Sequence, residues 1–184
     1  MSGAKNKTRL SSRGVAATFL ICCVLFSLLV LGGGKLSALR SDVLSAYDGG
    51  EGSIISDLTK HNENAYNIIT VGKRVLGADD SAITDAEAAY KAMNAASTPA
   101  DKYAADQQLD SAITYLVSAM NAAGMNDKDK TLVTGQKADM DSRDMIISHS
   151  DYNERVFEYA QAVSSFPGNL IAVCRGLGAP GYYR

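Results

Sequence analysis

Tryptophan is absent from this 184-residue chain, and proline, cysteine and histidine are scarce, at three, three and two residues. The two histidines are His61 and His149, and the residues three positions before them are Leu58 and Ile146. That rules out the Glu-x-x-His pairs from which four-helix bundles build di-metal centres. Cys22 and Cys23 sit inside an apolar run, so the rest of the chain holds only Cys174. One thiol forms no internal disulfide and offers no zinc spacing. Cys174 has no histidine near it in sequence, and the serines stand in no nucleophile motif. The glycines at Gly49, Gly50 and Gly52 lack a following Lys-Ser/Thr pair and make no phosphate loop. No catalytic residue, metal ligand or cofactor is expected, and the chain does not read as an enzyme.

Charge is also unevenly spread. Lys5, Lys7, Arg9 and Arg13 occupy residues 1–14 without an acid among them. Taking those four from the 18 basic residues leaves 14 against 20 acids, so the remainder is acidic. An acidic bundle lacks the clustered Lys and Arg on which nucleic-acid affinity depends, and no nucleic-acid partner is expected.

One long apolar run is present. Val15 to Leu31 is interrupted only by Thr18, Ser27 and the two cysteines. With the flanking glycines, residues 15–34 reach the roughly 20 positions that span a hydrocarbon core. The lipid bilayer is therefore one expected partner. The basic residues before the run place the N-terminus in the cytoplasm and residues 35–184 outside, although Lys35 and Arg40 narrow the difference. A cleaved signal peptide is the rival reading, with a small-residue site near Gly34 and Ala38, but the run exceeds the usual apolar core of such peptides. The residues before Cys22-Cys23 are not small, as a lipoprotein site would need.

Beyond the anchor the pattern is helical throughout, and no stretch reads as a strand. Leu36, Leu39, Val43 and Tyr47 open a stripe that resumes at Ile54, Leu58, Ala65, Ile68, Gly72 and Val75. A kink or break is expected between them at Asp48 to Gly52, because each helical glycine costs up to about 1 kcal/mol relative to alanine. A short Ala-rich helix over Asp85–Ala96 follows, capped by Ser81 or Thr84. A third is expected over Lys102–Ala123, with Leu109, Ile113, Leu116 and Met120 on one face. Asp127 to Lys130 reads as the solvated start of the last helix. There Met145, His149, Tyr152, Val156, Tyr159, Val163 and Phe166 keep a 4-3-4-3 spacing, a coiled-coil-like seam ending at Pro167. The expected fold is all-α. Residues 1–14 form a basic tail, 15–34 the anchor, and 35–168 an antiparallel bundle of about four helices, the first and last long. A short apolar segment and Gly-rich tail, 169–184, complete it.

The last helix carries a family resemblance. Asp151-Tyr152-Asn153-Glu154-Arg155-Val156, then Tyr159, then Ser165-Phe166-Pro167-Gly168-Asn169-Leu170-Ile171-Ala172 resembles the C-terminal signature of the LemA family. Weaker similarity reaches back through Leu109–Leu116 and Asp57–Lys73. The resemblance implies a bacterial helical bundle behind one N-terminal transmembrane helix. It implies no chemistry. Where the family carries paired arginines and a Leu-Ile-Pro-Asn segment in its first helix, this chain has Lys60-His61 and Ala65-Tyr66-Asn67. Its aromatic-containing stretch just before them is replaced by Gly50-Glu51-Gly52. The signature residues Tyr152, Asn153, Val156, Tyr159, Phe166, Pro167, Asn169 and Leu170 read first as packing and helix termination, and second as an interaction surface.

Both histidines fall on apolar seams. At ~1.5 Å per residue from the membrane end, His61 stands roughly 40 Å up the first helix and His149 roughly 25 Å up the last, so they do not meet. Partly buried histidines satisfied by nearby polar groups are expected, with pH sensing as the alternative. Asp57 and His61, four residues apart, share a helical face that a metal could bridge. The functional expectation is a membrane-tethered structural or adaptor protein acting through an unidentified protein partner or self-association. The alternative is an extracytoplasmic ligand-sensing bundle that signals through a partner.

Overall fold

The computed structural model describes residues 12–184, and no strand occurs among them. The basic segment holding Lys5, Lys7 and Arg9 lies outside that range. Helix α1 (Ser12–Ser27) passes through a π-helical turn (Leu28–Gly32) into α2 (Gly33–Asp48). Gly14–Asp48 is thus one 35-residue helix, long and apolar enough to cross a membrane. The expected break follows it: Gly50 and Gly52 take φ of 97° and 81°, where L side chains are strained. Then come α3 (Ile54–Leu76), α4 (Ser81–Ala95), α5 (Pro99–Ala123), α6 (Asp127–Ser148), α7 (Tyr152–Ser164) and α8 (Gly168–Arg175).

Helices α3, α4, α5 and α6 each start on a polar cap. Ser53, Asp80, Thr98 and Asn126 accept from backbone N–H groups two or three residues on. Asp80 therefore holds the position expected of Ser81 or Thr84, and α4 begins earlier than its alanine pattern suggests. The Thr98 cap is reciprocal: its oxygen accepts from the Asp101 N–H at 3.1 Å and its hydroxyl donates to the Asp101 carboxylate at 2.7 Å. Pro99 fills the first helical position, where a missing N–H costs nothing. This pre-organised start gives α5 25 residues, so of the expected short middle pair only α4, at 15, is short. Thr98→Ala should lower stability by about 1 kcal/mol, read as a shift in the urea midpoint with an unchanged slope.

Two broken helices run side by side in opposite directions. Asn64 pairs with Asp139, Asn67 with Gln136, Asp57 with Arg143 and Arg74 with Asp129, which fixes α3 antiparallel to α6. The register carries on into α2 and α7, where Tyr47 stacks on Tyr152 with ring centroids 5.3 Å apart. The α4–α5 hairpin covers the other side of α3. Ile54, Leu58, Ala65 and Ile68 of α3 meet Ile83 of α4, Leu109, Ile113 and Leu116 of α5, and Val133 and Met140 of α6 in one core. Gly72 lets the hairpin close in, since a Cβ there would stand 2.7 Å from Ile83 Cδ1 and 3.1 Å from Leu116 Cδ1.

The expected last helix is two helices. Its seam breaks at His149–Asp151, between α6 and α7. Tyr152, Val156 and Tyr159 are buried, whereas Met145 and Phe166 are exposed. His149 is exposed too, its Nδ1 2.8 Å from the Met145 carbonyl, and so is not the partly buried seam histidine expected.

Candidate functional site: a buried His–Asp–Asp cluster

The face of α3 that supplies Leu58 and Ala65 also supplies His61, and the imidazole is fully buried, at 0% exposure. Asp106, one turn before Leu109 on α5, reaches it from one side. Asp144, one turn after Met140 on α6, reaches it from the other. His61 Nδ1 lies 3.2 Å from Asp106 Oδ1, and Nε2 lies 3.4 Å from Asp144 Oδ1. Neither ring nitrogen has an aligned hydrogen-bond acceptor, so both contacts are ionic in character. The other Asp106 oxygen accepts from the Tyr183 hydroxyl at 3.1 Å.

Tyr183 is delivered by the stretch after α8, which runs back along the bundle. Asn153 grips its backbone twice: the side-chain amide donates to the Tyr183 carbonyl and its oxygen accepts from the Tyr183 N–H, each at 2.9 Å. The Tyr152 hydroxyl donates to the Gly181 carbonyl at 2.6 Å. Tyr103 meets the Tyr183 ring edge-on at 5.3 Å. A cleft of about 300 Å³ opens beside the cluster, walled by Asp106, Asp144, Tyr103, Tyr183 and Asn153.

Burial sets the electrostatics. It pushes the Asp106 carboxyl up to about 6 from 3.8, despite the opposing pull of His61 and the Tyr183 hydrogen bond. Burial alone would lower His61, but the carboxylates of Asp144 and Asp106 outweigh it and raise it above 6.5. The Tyr183 hydroxyl is raised by burial and by the Asp106 charge. His61, Asp106 and Asp144 bring one ligand atom each within 4.8 Å of one another. The two carboxylates, however, face opposite nitrogens of the ring, whose lone pairs diverge. A metal taking one nitrogen and both carboxylates would need side chains to turn. The arrangement as it stands suits an imidazolium bridging two carboxylates, a holder of a proton at the bundle centre.

Asp57 and His61, on one helical face, take different partners: Asp57 turns to Arg143 at 2.9 Å. The signature residues divide into two groups. Tyr152, Asn153, Val156 and Tyr159 face inward, the first two clasping residues 181–183 and the latter two packing against α2. Phe166 and Leu170 face outward, Pro167 turns the corner into α8, and exposed Asn169 accepts from the Leu170 N–H. Asp106, Asp144 and Tyr183 were missed in the sequence. For the two aspartates a signal was available: each stands at helical spacing on an otherwise apolar stripe. Asn153→Ala should release the 181–183 segment, costing roughly 1–3 kcal/mol and speeding hydrogen exchange at the Tyr183 amide. Unchanged exchange there would show that the clasp holds nothing.

A family model for the LemA family matches residues 51–184, everything from the glycine break onward. No curated protein shows a significant sequence match to the chain.

Proposed function

The chain belongs to the LemA family, and from that premise we propose that it is a membrane-tethered adaptor: a non-catalytic helical bundle held at the bilayer face that works by protein–protein contact. The observation that carries this reading is the continuous helix Gly14–Asp48. Among its described side chains the first half exposes only apolar and small polar ones, and its second half packs on α7 and α8. A bundle joined to its anchor by unbroken helix is set at a fixed height and angle, as a docking platform requires and an enzyme does not. The basic residues ahead of the anchor favour a cytoplasmic N-terminus and an extracytoplasmic bundle. Exposed Tyr66, Tyr115, Leu132 and Phe157 offer contacts for a partner or a second copy.

The test is crosslinked affinity capture of the full chain from its native membrane, beside a copy lacking residues 1–34. One defined protein recovered in stoichiometric amount with the full chain supports the adaptor. Recovery of the protein alone, as a single crosslinked copy, overturns it. A ligand-sensing bundle is the second reading, and the cleft beside His61 favours it. Thermal melting with small ligands and metal ions separates the two: a rise of several degrees favours the sensor, and flat curves count against it.

A further inference from the structure

We propose that the corner formed by the end of α7 and by α8 is a second membrane contact, whose outer face lies in the headgroup layer of the bilayer the anchor crosses. This rests on the tethered reading above. Helix α8 is apolar on two faces. Ile171 and Ala172 are buried. On the other side Leu170, Val173 and Cys174 follow the i, i+3, i+4 spacing of a single stripe, with Leu170 42% and Val173 82% exposed and Cys174 also exposed. Phe166, just before the corner, is 77% exposed. A helix apolar on two faces is normally covered on both, and nothing among the described residues covers this one.

The position of the corner identifies what does. Ile171 packs on Gly32, so closely that a Cβ there would stand 2.5 Å from Ile171 Cδ1. The Arg175 guanidinium lies over Gly33. Gly32 directly follows Leu31, the last residue of the exposed apolar run. The antiparallel register of α2 and α7, which sets Tyr47 against Tyr152 and Arg40 near Tyr159, brings Phe166 to the same level. The outer stripe of α8 therefore continues the apolar surface of the anchor sideways, at the height where hydrocarbon gives way to headgroups.

Charge at this end has one sign. No acidic residue occurs from Tyr159 to Arg184 or from Gly14 to Ser41, while Lys35, Arg40 and Arg175 stand just beyond the apolar zone. An apolar face rimmed by lysine and arginine is the makeup of an interfacial helix on anionic lipid. A soluble protein partner would be met by no such alignment with the anchor.

The test places nitroxide labels on the full chain in vesicles of phosphatidylcholine and phosphatidylglycerol. Cys22→Ser with Cys23→Ser leaves Cys174 as the only label site, and Cys22→Ser with Cys174→Ser leaves Cys23. Tyr115→Cys in a background without the three native cysteines gives the aqueous reference. The readout is the ratio of collisions with oxygen to collisions with a water-soluble nickel complex. At Cys174 it should exceed the Tyr115 reference several-fold, corresponding to about 5–10 Å of burial at the headgroup boundary, and Cys23 should read deeper still. Adding Val173→Asp and Leu170→Asp should return the Cys174 ratio to the reference, which shows that the helix face and not the label seeks lipid. An aqueous Cys174 beside a deep Cys23 overturns this contact and leaves the anchor standing. An aqueous Cys23 overturns both.

Discussion

Replacing His61 with alanine should destabilise the protein by roughly 3–5 kcal/mol at neutral pH, the usual cost of removing one partner from a buried ionic group. The imidazole separates two carboxylates, Asp106 on α5 and Asp144 on α6, which approach it at 3.2 and 3.4 Å. Asp106 is buried, and among the described residues the Tyr183 hydroxyl is its one further donor. Without His61 the two acids face each other across a void left by a side chain of 0% exposure. Desolvation and like-charge repulsion then act in the same direction. Urea unfolding of the full chain in detergent micelles measures the loss. Adding Asp106→Asn to His61→Ala should recover part of it by removing one buried charge, whereas a simple cavity would gain nothing from that change. A loss below about 1 kcal/mol would mean that the cluster is solvated and holds no bridge.

Why this cluster escaped the sequence while most of the bundle did not comes down to what local patterns encode. The stripe Ile54, Leu58, Ala65, Ile68 and Gly72 was legible because burial of a helix face repeats every three or four residues. The break after Asp48 was legible because glycine carries its own backbone preference. The division of the last helix was hidden, since the apolar spacing from Met145 to Phe166 runs on through Ser148-His149-Ser150-Asp151. Only the contacts decide there: Tyr152 turns to Tyr47 while Met145 is left in solvent. Spacing placed His61 on a buried face but said nothing of which residues on other helices would meet it. The partners of His61 are aspartates 45 and 83 positions further on. Tyr183 was harder still, because a Gly-rich segment shows no periodicity and is held by side chains far away in sequence, Asn153 and Tyr152 of α7. The family signature marked Tyr152 and Asn153 without saying that what they grip is this chain itself.

The stability of the protein should fall as pH rises across the range in which most domains are at their best. Asp106 and His61 both hold their protons more tightly when folded. Asp106 moves from 3.8 to about 6 because it is buried, and His61 moves above 6.5 because Asp144 and Asp106 outweigh its burial. The folded state therefore binds more protons than the unfolded one from about pH 4 upward, and linkage makes the unfolding free energy decline wherever that holds. The Asp106 contribution is complete below its unfolded value and is lost as pH rises through about 6. The His61 contribution is complete below 6.5 and is lost as pH rises through its higher folded value. The groups facing the imidazole are Asp106 and Asp110 from α5, Asp144 from α6 and, through Asp106, Tyr183. None of them is a cation that would reverse the trend. A displacement of about two pH units for Asp106 corresponds to on the order of 3 kcal/mol. Melting temperature measured between about pH 5 and about pH 8 should therefore drop steadily, with an optimum on the acid side of the usual window. Asp106→Asn should flatten the acid limb and His61→Gln the limb above it. A profile that stays level in the unmodified protein and in both variants would show that the cluster exchanges its protons freely with water in the folded bundle.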